Sequence, residues 1–257
     1  MKKNTDDSLM MNRNFLKDNL RLEINFLSTD QNKGVPAPPI EKTPLANQKI
    51  IQLASPQNIA DIQDIGLIQA IKKRKSIRDF INTSVTLDEI AFLLWATQGL
   101  RDKPQGKHAY RVVPSAGCRH SFETYIIALN IKGLIEGIYR YLPVEHALVV
   151  ESQQTHLSEK IIQATLGQDF VGNAAAVFIW SSIPYRMEWR YGLAAHRVIA
   201  FDIGHVCQNL YLAVQVISAG TCAIAAYNQP LMDELLGLDG MNEFVIYLAA
   251  IGKINNE

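Results

Sequence analysis

The chain has 257 residues, of which 48% are hydrophobic and 19% are charged, a composition typical of a globular protein with one large core. Its 25 basic and 25 acidic side chains cancel, which excludes a general electrostatic attraction to nucleic acid or to an anionic membrane. Any anion that the protein recognises must therefore be met by a local cluster of cations.

Cysteine and histidine patterns argue against metal sites and disulfides. Three cysteines without a CxxC pair favour a reduced protein, and the six histidines form no HExxH motif, so we predict no metal site. The N-terminal residues are polar and lack the apolar core of a signal peptide, and no apolar stretch reaches the roughly 18 residues of a membrane span. We therefore expect a cytoplasmic protein without a membrane segment.

Residues 1–66 differ from the rest of the chain. Pro36, Pro38 and Pro39 favour extended backbone, and apolar side chains between Phe15 and Phe26 would prefer a surface to cover. We predict an extended N-terminal arm that wraps the body or a partner subunit, with disorder as the alternative. The remaining residues, 67–257, are predicted to form the domain that carries the chemistry.

From residue 67 onward, helix and strand patterns alternate. A short helix is predicted over 67–74, and a capping box formed by Thr86 and Glu89 opens a second helix that Gly99 would end in a left-handed conformation. Further periodicities predict helices over 157–166 and 230–236, and strands over 123–131, 137–142, 147–150, 174–181, 221–227 and 244–251.

The segment 195–219 is apolar on nearly every face. A helix there is predicted to be buried on all sides, either at the centre of the fold or at a subunit interface. His205, Gln208 and Asn209 interrupt the apolar pattern, and we interpret them as buried side chains that satisfy each other's hydrogen bonds.

A basic cluster over 72–80 is the first candidate site. Five cations within seven residues surround Ser76, and arginine forks, lysine charges and a hydroxyl all suit a phosphate. A solvated basic helix end has the same composition, and the cluster by itself favours that interpretation. Neither GxxxxGK[ST] nor GxGxxG is present, which excludes the common nucleotide-binding loops, and GxSxG is absent too.

Two further constellations can contribute to a site. Small side chains over 114–117 would let backbone amides approach a flat ligand, although an ordinary surface turn has the same sequence. Cys118, which follows, is interpreted as a packed small hydrophobe and not as a nucleophile. Tyr191 beside Arg190 is a candidate acid or proton relay.

Four motifs in this order give the chain a family resemblance. It resembles the SagB/ThcOx-type dehydrogenase branch of the nitroreductase-like superfamily from about Arg13 to Lys253. The motifs are Arg74–Arg78, Leu93–Gly99, Pro114–His120 and Gly204–Leu210.

The resemblance implies an α+β fold, with a central mixed β-sheet flanked by helices, in an intertwined homodimer that binds flavin mononucleotide (FMN) at the subunit interface. The implied contacts to the FMN phosphate and ribityl chain are Arg74, Lys75, Ser76 and Arg78, with Lys253 as a further phosphate contact. The implied neighbours of the isoalloxazine ring are Pro114, Ser115, Ala116 and Gly117 of the other subunit, and the backbone amides of Ile224 and Ala225 near the flavin N5.

One departure from the branch limits what can be transferred. Members that oxidise azolines carry a Lys-Tyr pair where this chain has Arg190-Tyr191. Buried lysine can act as a base, whereas arginine stays protonated, so azoline oxidation is not carried over.

We expect an FMN-dependent oxidoreductase that acts on a small molecule or a peptide, with NADH, NADPH or the substrate itself as electron donor. The alternatives are an NAD(P)H-dependent reductase of nitro compounds or quinones, and a non-catalytic flavin-binding scaffold for a biosynthetic partner. Nucleic-acid binding is disfavoured because the charge around the basic cluster is neutral.

Overall fold

The computed structural model describes residues 2–55, 65–104 and 109–255. Within these residues the strands are β1 Ile50–Gln52, β2 Val85–Thr86, β3 Phe122–Ala128, β4 Ile131–Lys132, β5 Gly137–Leu142, β6 Ala147–Ser152, β7 Ala176–Ser182, β8 Ala219–Ile224 and β9 Phe244–Lys253. The α-helices are α1 Lys2–Phe15, α2 Leu67–Lys73, α3 Leu87–Gln98, α4 Leu157–Ala164, α5 Asp169–Gly172, α6 Tyr185–Tyr191, α7 Ala195–Ala213 and α8 Gln229–Leu236.

One seven-stranded sheet organises the chain, in the order β1-β6-β5-β3-β7-β9-β8. Each pair of neighbouring strands in it is antiparallel. Among the described residues, parallel pairing reaches this sheet at one isolated bridge, between Ser76 and Thr221. The expected α+β class is confirmed, and the expectation of a mixed sheet is corrected to an antiparallel sheet, as short connections such as the β5–β6 turn favour.

Helices cover both faces of the sheet. On one face α3 and α7 pack against β3, β7 and β9, and their buried residues form one core cluster with Phe178 and Trp180. On the other face α4 and α8 pack against the same strands in a second cluster that includes Tyr125 and Ile179. Every residue of β3 and β7 is buried, because both faces of these central strands are covered.

Most predicted elements are present, with ends shifted by a few residues, but the predicted end of the helix at Gly99 was wrong. The capping box at Thr86 is confirmed, but Gly99 lies in extended backbone (φ −62°, ψ 159°) and not in the left-handed region. Glycine is needed there for a different reason. A Cβ atom at Gly99 would lie 2.4 Å from the Cδ1 atom of Trp95.

Helix α7 is not buried on all sides in a single chain. It ends at Ala213 and continues as a 3₁₀ turn over Val214–Ile217. Phe201 (48% exposed), Gly204, His205 and Gln208 form an exposed strip along the helix. The prediction of burial on every face was therefore wrong for the single chain.

The prediction of an extended arm was wrong for α1, which is helical and has exposed side chains over 7–15, whereas the segment from Leu16 to residue 55 contacts the body. Its backbone contacts α6, where Gln31 N donates to Trp189 O (2.9 Å) and Trp189 Nε1 donates to Val35 O (2.9 Å). Further on, Lys42 N donates to Glu123 Oε1 (2.8 Å), and β1 pairs with β6 at the sheet edge. The boundary at 66/67 stays a prediction. Residues 1 and 56–64 of the predicted arm, and 105–108 and 256–257 of the predicted domain, lie outside the described residues.

The carboxyl group of Glu41 makes the stability of the folded chain depend on pH. Its Oε2 accepts from Val144 N (3.0 Å), and burial raises the pKa of the carboxyl from 4.5 to about 7. A folded-state pKa above the unfolded value contributes stability at low pH, and this contribution is lost as the pH rises from about 4.5 through 7. We expect Glu41→Gln to gain stability relative to the wild type over that range, because the amide keeps the acceptor without the charge.

Urea unfolding of both proteins at several pH values between 4.5 and 8 measures this effect. Glu234→Gln, at an exposed position on α8, is the matched control and should track the wild type. A difference between Glu41→Gln and the wild type that stays constant with pH would contradict the prediction.

Candidate functional site

The basic segment after α2 runs along the edge strand β8. Helix α2 ends at Lys73, and the chain then forms the parallel bridge between Ser76 and Thr221, with Ile77 N donating to Thr221 O (3.0 Å). A Cβ atom at Gly220 would lie 2.9 Å from the Cβ of Ile77. Glycine at 220 therefore lets the basic segment approach the strand closely.

Two residues of this segment contact Tyr211. The guanidinium of Arg74 lies 5.3 Å from the centre of the Tyr211 ring, and Ser76 Oγ is 2.8 Å from Tyr211 Oη. Ser76 and Arg78 both act on Cys222, whose pKa is raised by burial and moved back down by these two neighbours. The guanidinium of Arg78 itself lies 5.7 Å from the centre of the Phe170 ring, so Arg74 and Ser76 share Tyr211 while Arg78 is held elsewhere.

Tyr211, in α7, is a part of this group that the sequence did not indicate. Its hydroxyl also accepts from Ala223 N (3.0 Å) and so joins the basic segment to β8. A lone tyrosine in an apolar helix is equally typical of a packed core side chain. Its role becomes visible when its two hydrogen-bond partners are known.

An open cavity of about 920 Å³ adjoins the basic segment. Its charged lining is Lys72, Lys73, Lys75 and Arg78 against the single carboxylate of Asp79, an excess of three positive charges in a chain of zero net charge. This is the local cation cluster that anion binding requires. The guanidiniums of Arg74 and Arg78 and the hydroxyl of Ser76, beside further lysines, are the kinds of donors that a phosphate monoester needs.

Lys253, Ile224 and Ala225 lie near this group in different settings. Lys253 Nζ donates to Glu89 Oε1 (2.5 Å) and to Ile217 O (2.7 Å), so its charge is already paired. Ile224 is the last residue of β8 and its side chain is buried, whereas Ala225 directly after it is exposed. The predicted roles of these three residues in flavin binding stay predictions.

The loop over 114–117 meets the end of α6. Gly117 has a φ of 58°, and a Cβ atom there would lie 2.6 Å from both Arg190 Nε and Tyr191 Oη. Both the backbone angle and the close contact require glycine. The structure thus brings this loop together with Arg190 and Tyr191. From the sequence, the loop and this pair were two separate candidate sites.

Asp202 of α7 fixes the loop. Its carboxylate accepts from Ala116 N (3.3 and 3.1 Å), and burial raises the pKa of this carboxyl. Ser115 Oγ accepts from His120 N (2.9 Å), while Pro114 is exposed. Burial, with nearby arginines, lowers the pKa of His120 to about 2, so this imidazole is neutral at ordinary pH.

The polar residues of α7 do not satisfy one another. Asn209 Nδ2 donates to Ala96 O (2.8 Å) on α3, while His205 and Gln208 are exposed. The interpretation of a buried mutual network was therefore wrong. Sequence periodicity could not separate a helix buried on all sides from a helix that keeps one strip uncovered in its own chain.

A single chain keeps the two groups apart. Asp202 holds the loop and Tyr211 holds the basic segment, and nine residues of α7 separate them, a helical rise of roughly 14 Å. One ligand of flavin size would have to span this distance within one chain, or would meet the two groups from different chains.

Comparison with known proteins places the chain in a family. A model described as the Nitroreductase family matches residues 71–253, well over half of the chain. The chain belongs to the nitroreductase family. It is therefore an oxidoreductase, and its α+β architecture is the nitroreductase-like fold.

Three similar proteins illustrate the family membership. A protein named as a nitroreductase in Methanocaldococcus jannaschii is 29% identical over 195 residues, covering 76% of this chain and 94% of that protein. The trifolitoxin-processing protein TfxB of Rhizobium leguminosarum bv. trifolii is 26% identical over 155 residues, covering 55% of this chain and 40% of TfxB. The crystal structure of a protein named as a nitroreductase from Ralstonia eutropha superposes with a TM-score of 0.66 at 22% identity, covering 86% of this chain and 100% of that one.

Among the described residues of this nitroreductase-family chain, no helix combines the length and the apolar character that crossing a membrane requires.

Proposed function

We propose that this protein is an FMN-dependent oxidoreductase of the SagB/ThcOx-type branch, which works as a cytoplasmic homodimer with FMN at the subunit interface. The observation that carries the proposal is the basic segment itself, with Arg74 and Ser76 held against Tyr211 and with Ser76 and Arg78 in the lining of a cation-rich cavity. Membership of the nitroreductase family supports FMN as the ligand of that face.

The basic segment would hold the FMN phosphate. The arginine forks bind phosphate oxygens, Ser76 donates its hydroxyl, and Tyr211 fixes the geometry of both. Lys75 lines the adjoining cavity and adds charge there. Lys253, which pairs with Glu89, would be a further phosphate contact. The backbone after Ile224 would face the flavin ring.

Two features of α7 support the homodimer. An exposed strip that includes Phe201 and Gly204 is available to a second copy, and burial of Phe201 would offset the cost of association. In a two-fold dimer, the partner's loop over 114–117 would lie near the basic segment of the first chain. One ligand could then contact both groups without spanning the distance along α7.

When bound, FMN supplies two-electron chemistry by accepting and donating a hydride equivalent. The chain's residues would then orient the substrate and move protons. Tyr191 Oη lies against Gly117 of the loop and can relay a proton to or from a substrate there. Arg190 keeps its proton and so binds anions but does not act as a base.

The choice between a reductase and a dehydrogenase depends on the electron donor. Similarity to TfxB, a toxin-processing protein, supports a peptide substrate, whereas arginine at 190 disfavours the azoline chemistry of the branch. The relatives named as nitroreductases favour the second candidate, an NAD(P)H-dependent reductase of nitro compounds or quinones. A flavin-binding scaffold for a biosynthetic partner is the third.

The absorbance spectrum of the purified protein tests the proposal. We expect flavin bands, release of FMN on denaturation, and a dimer mass by light scattering. Anaerobic bleaching by NADH or NADPH would select the reductase. Protein that is colourless and neither binds added FMN nor quenches its fluorescence would overturn the flavin proposal. If no donor reduces the bound flavin and no substrate oxidises it, the flavin-binding scaffold is the remaining candidate function.

A further inference from the structure

Two arginines beside the loop over 114–117 lack a carboxylate partner among the described residues. Arg119 is 8% exposed; its Nε donates to Gly117 O (3.3 Å), and its guanidinium lies 5.0 Å from the centre of the Trp189 ring. Arg190 lies 5.5 Å from the centre of the Tyr191 ring and donates to Gln31 Oε1 (3.3 Å).

Other buried arginines in the described chain are better satisfied. Arg140 pairs with Glu151 (2.6 Å) and Glu123 (3.7 Å), and Arg186 pairs with Glu123 (2.5 Å). Arg111 donates to three oxygen atoms. A buried guanidinium normally requires such partners, because removing its charge from water is costly. Arg111 Nε and Arg186 Nη1 still lack a partner, but Arg119 differs in having one backbone acceptor and no carboxylate among the described residues.

The two unpaired charges also act on each other. Burial lowers the pKa of Arg119, and the neighbouring Arg190 acts in the same direction. Both guanidiniums border the loop that carries Gly117, and Arg190 reaches that glycine directly. An anion placed between them would offset both the burial and the repulsion. The stacked rings of Trp189 and Tyr191 hold the two planar groups in place.

We propose that Arg119 and Arg190 bind a carboxylate group of the substrate, an inference that rests on the proposed function. The planar fork of each guanidinium matches the two oxygens of a carboxylate, and the site lies beside Tyr191, the candidate proton relay. The substrate class is therefore a carboxylic acid, such as a small organic acid or a peptide that presents an acidic side chain or its C-terminus.

Calorimetric titration of the purified protein with benzoate and with benzamide tests the binding. We expect benzoate to bind more tightly, and Arg119→Gln and Arg190→Gln each to weaken benzoate by about tenfold or more, with benzamide unaffected. Arg119→Lys keeps the charge without the fork and should restore part of the affinity. Arg101→Gln is the matched control, since Arg101 stacks on Tyr110 but is already paired with Asp102.

Turnover separates this inference from the proposed reaction. Reduction of 4-nitrobenzoate and 4-nitrobenzamide by the flavin-loaded enzyme should favour the anion in kcat/KM, and both glutamine variants should remove that preference while the amide is still reduced. Reduction of neither compound would count against the reductase, and calorimetry would still decide the carboxylate site. Equal affinity of the wild type for benzoate and benzamide, or benzoate binding that all three glutamine variants retain, would overturn the inference.

Discussion

Arg74→Ala combined with Arg78→Ala is expected to leave the chain folded and to strip it of FMN. The guanidinium of Arg74 lies over the Tyr211 ring, and that of Arg78 lies over the Phe170 ring and lines the cation-rich cavity. Each charge-assisted contact to phosphate is worth about 1.5–3 kcal/mol, so we expect FMN to bind at least about a hundredfold more weakly. Neither arginine has a carboxylate partner among the described residues, and their loss should change the unfolding temperature of the FMN-free protein little.

Flavin absorbance per protein chain and titration of FMN fluorescence measure this effect, with circular dichroism as the check on folding. Arg21→Ala combined with Arg101→Ala is the matched control, because these arginines also stack on aromatic rings, over Phe26 and Tyr110, but lie on exposed surface. Retention of FMN by a folded Arg74/Arg78 double variant would remove the phosphate assignment.

Gly204→Tyr is expected to break the homodimer and to release FMN without damage to the single chain. A Cβ atom at Gly204 meets nothing within 4 Å in the single chain, so the chain itself has room for a large side chain. Replacing a glycine inside a helix also favours the helix by up to about 1 kcal/mol. A second α7 packed closely on the strip around Phe201 would collide with the added ring.

Light scattering reports the mass, and flavin absorbance reports the cofactor. The expected variant is a folded, colourless monomer, with the helical circular dichroism signal of the wild type. Glu159→Tyr places the same side chain on an exposed position of α4 and should stay dimeric and yellow. A Gly204→Tyr protein that remains a flavin-loaded dimer would show that the interface lies elsewhere on the molecule.

Much of the local structure followed from the sequence, because it depends on neighbours along the chain. The capping box of Thr86 and Glu89 is set by residues three apart, and both of its hydrogen bonds are present. Helix α2 and its basic end were predicted almost to the residue. The family resemblance rested on ordered motifs and agrees with the family match over 71–253.

Several site features depend on contacts between distant residues and could not be predicted. Tyr211 joins the basic segment to β8 across 135 residues of sequence, measured from Ser76. In the sequence, Arg119 is an ordinary polar residue of a motif. The structure shows that its guanidinium lies over the ring of Trp189.

The sequence by itself determined most of the helices and strands, the family, and the position of the basic segment, because periodicity, capping and motif order are local properties. Tertiary structure decided which side chains share a face and which charges stay unpaired. It places Arg74 and Ser76 against Tyr211, and it leaves Arg119 with one backbone acceptor and no carboxylate partner among the described residues. Such groupings follow from how the sheet and α7 pack, and packing joins residues that no spacing along the chain relates.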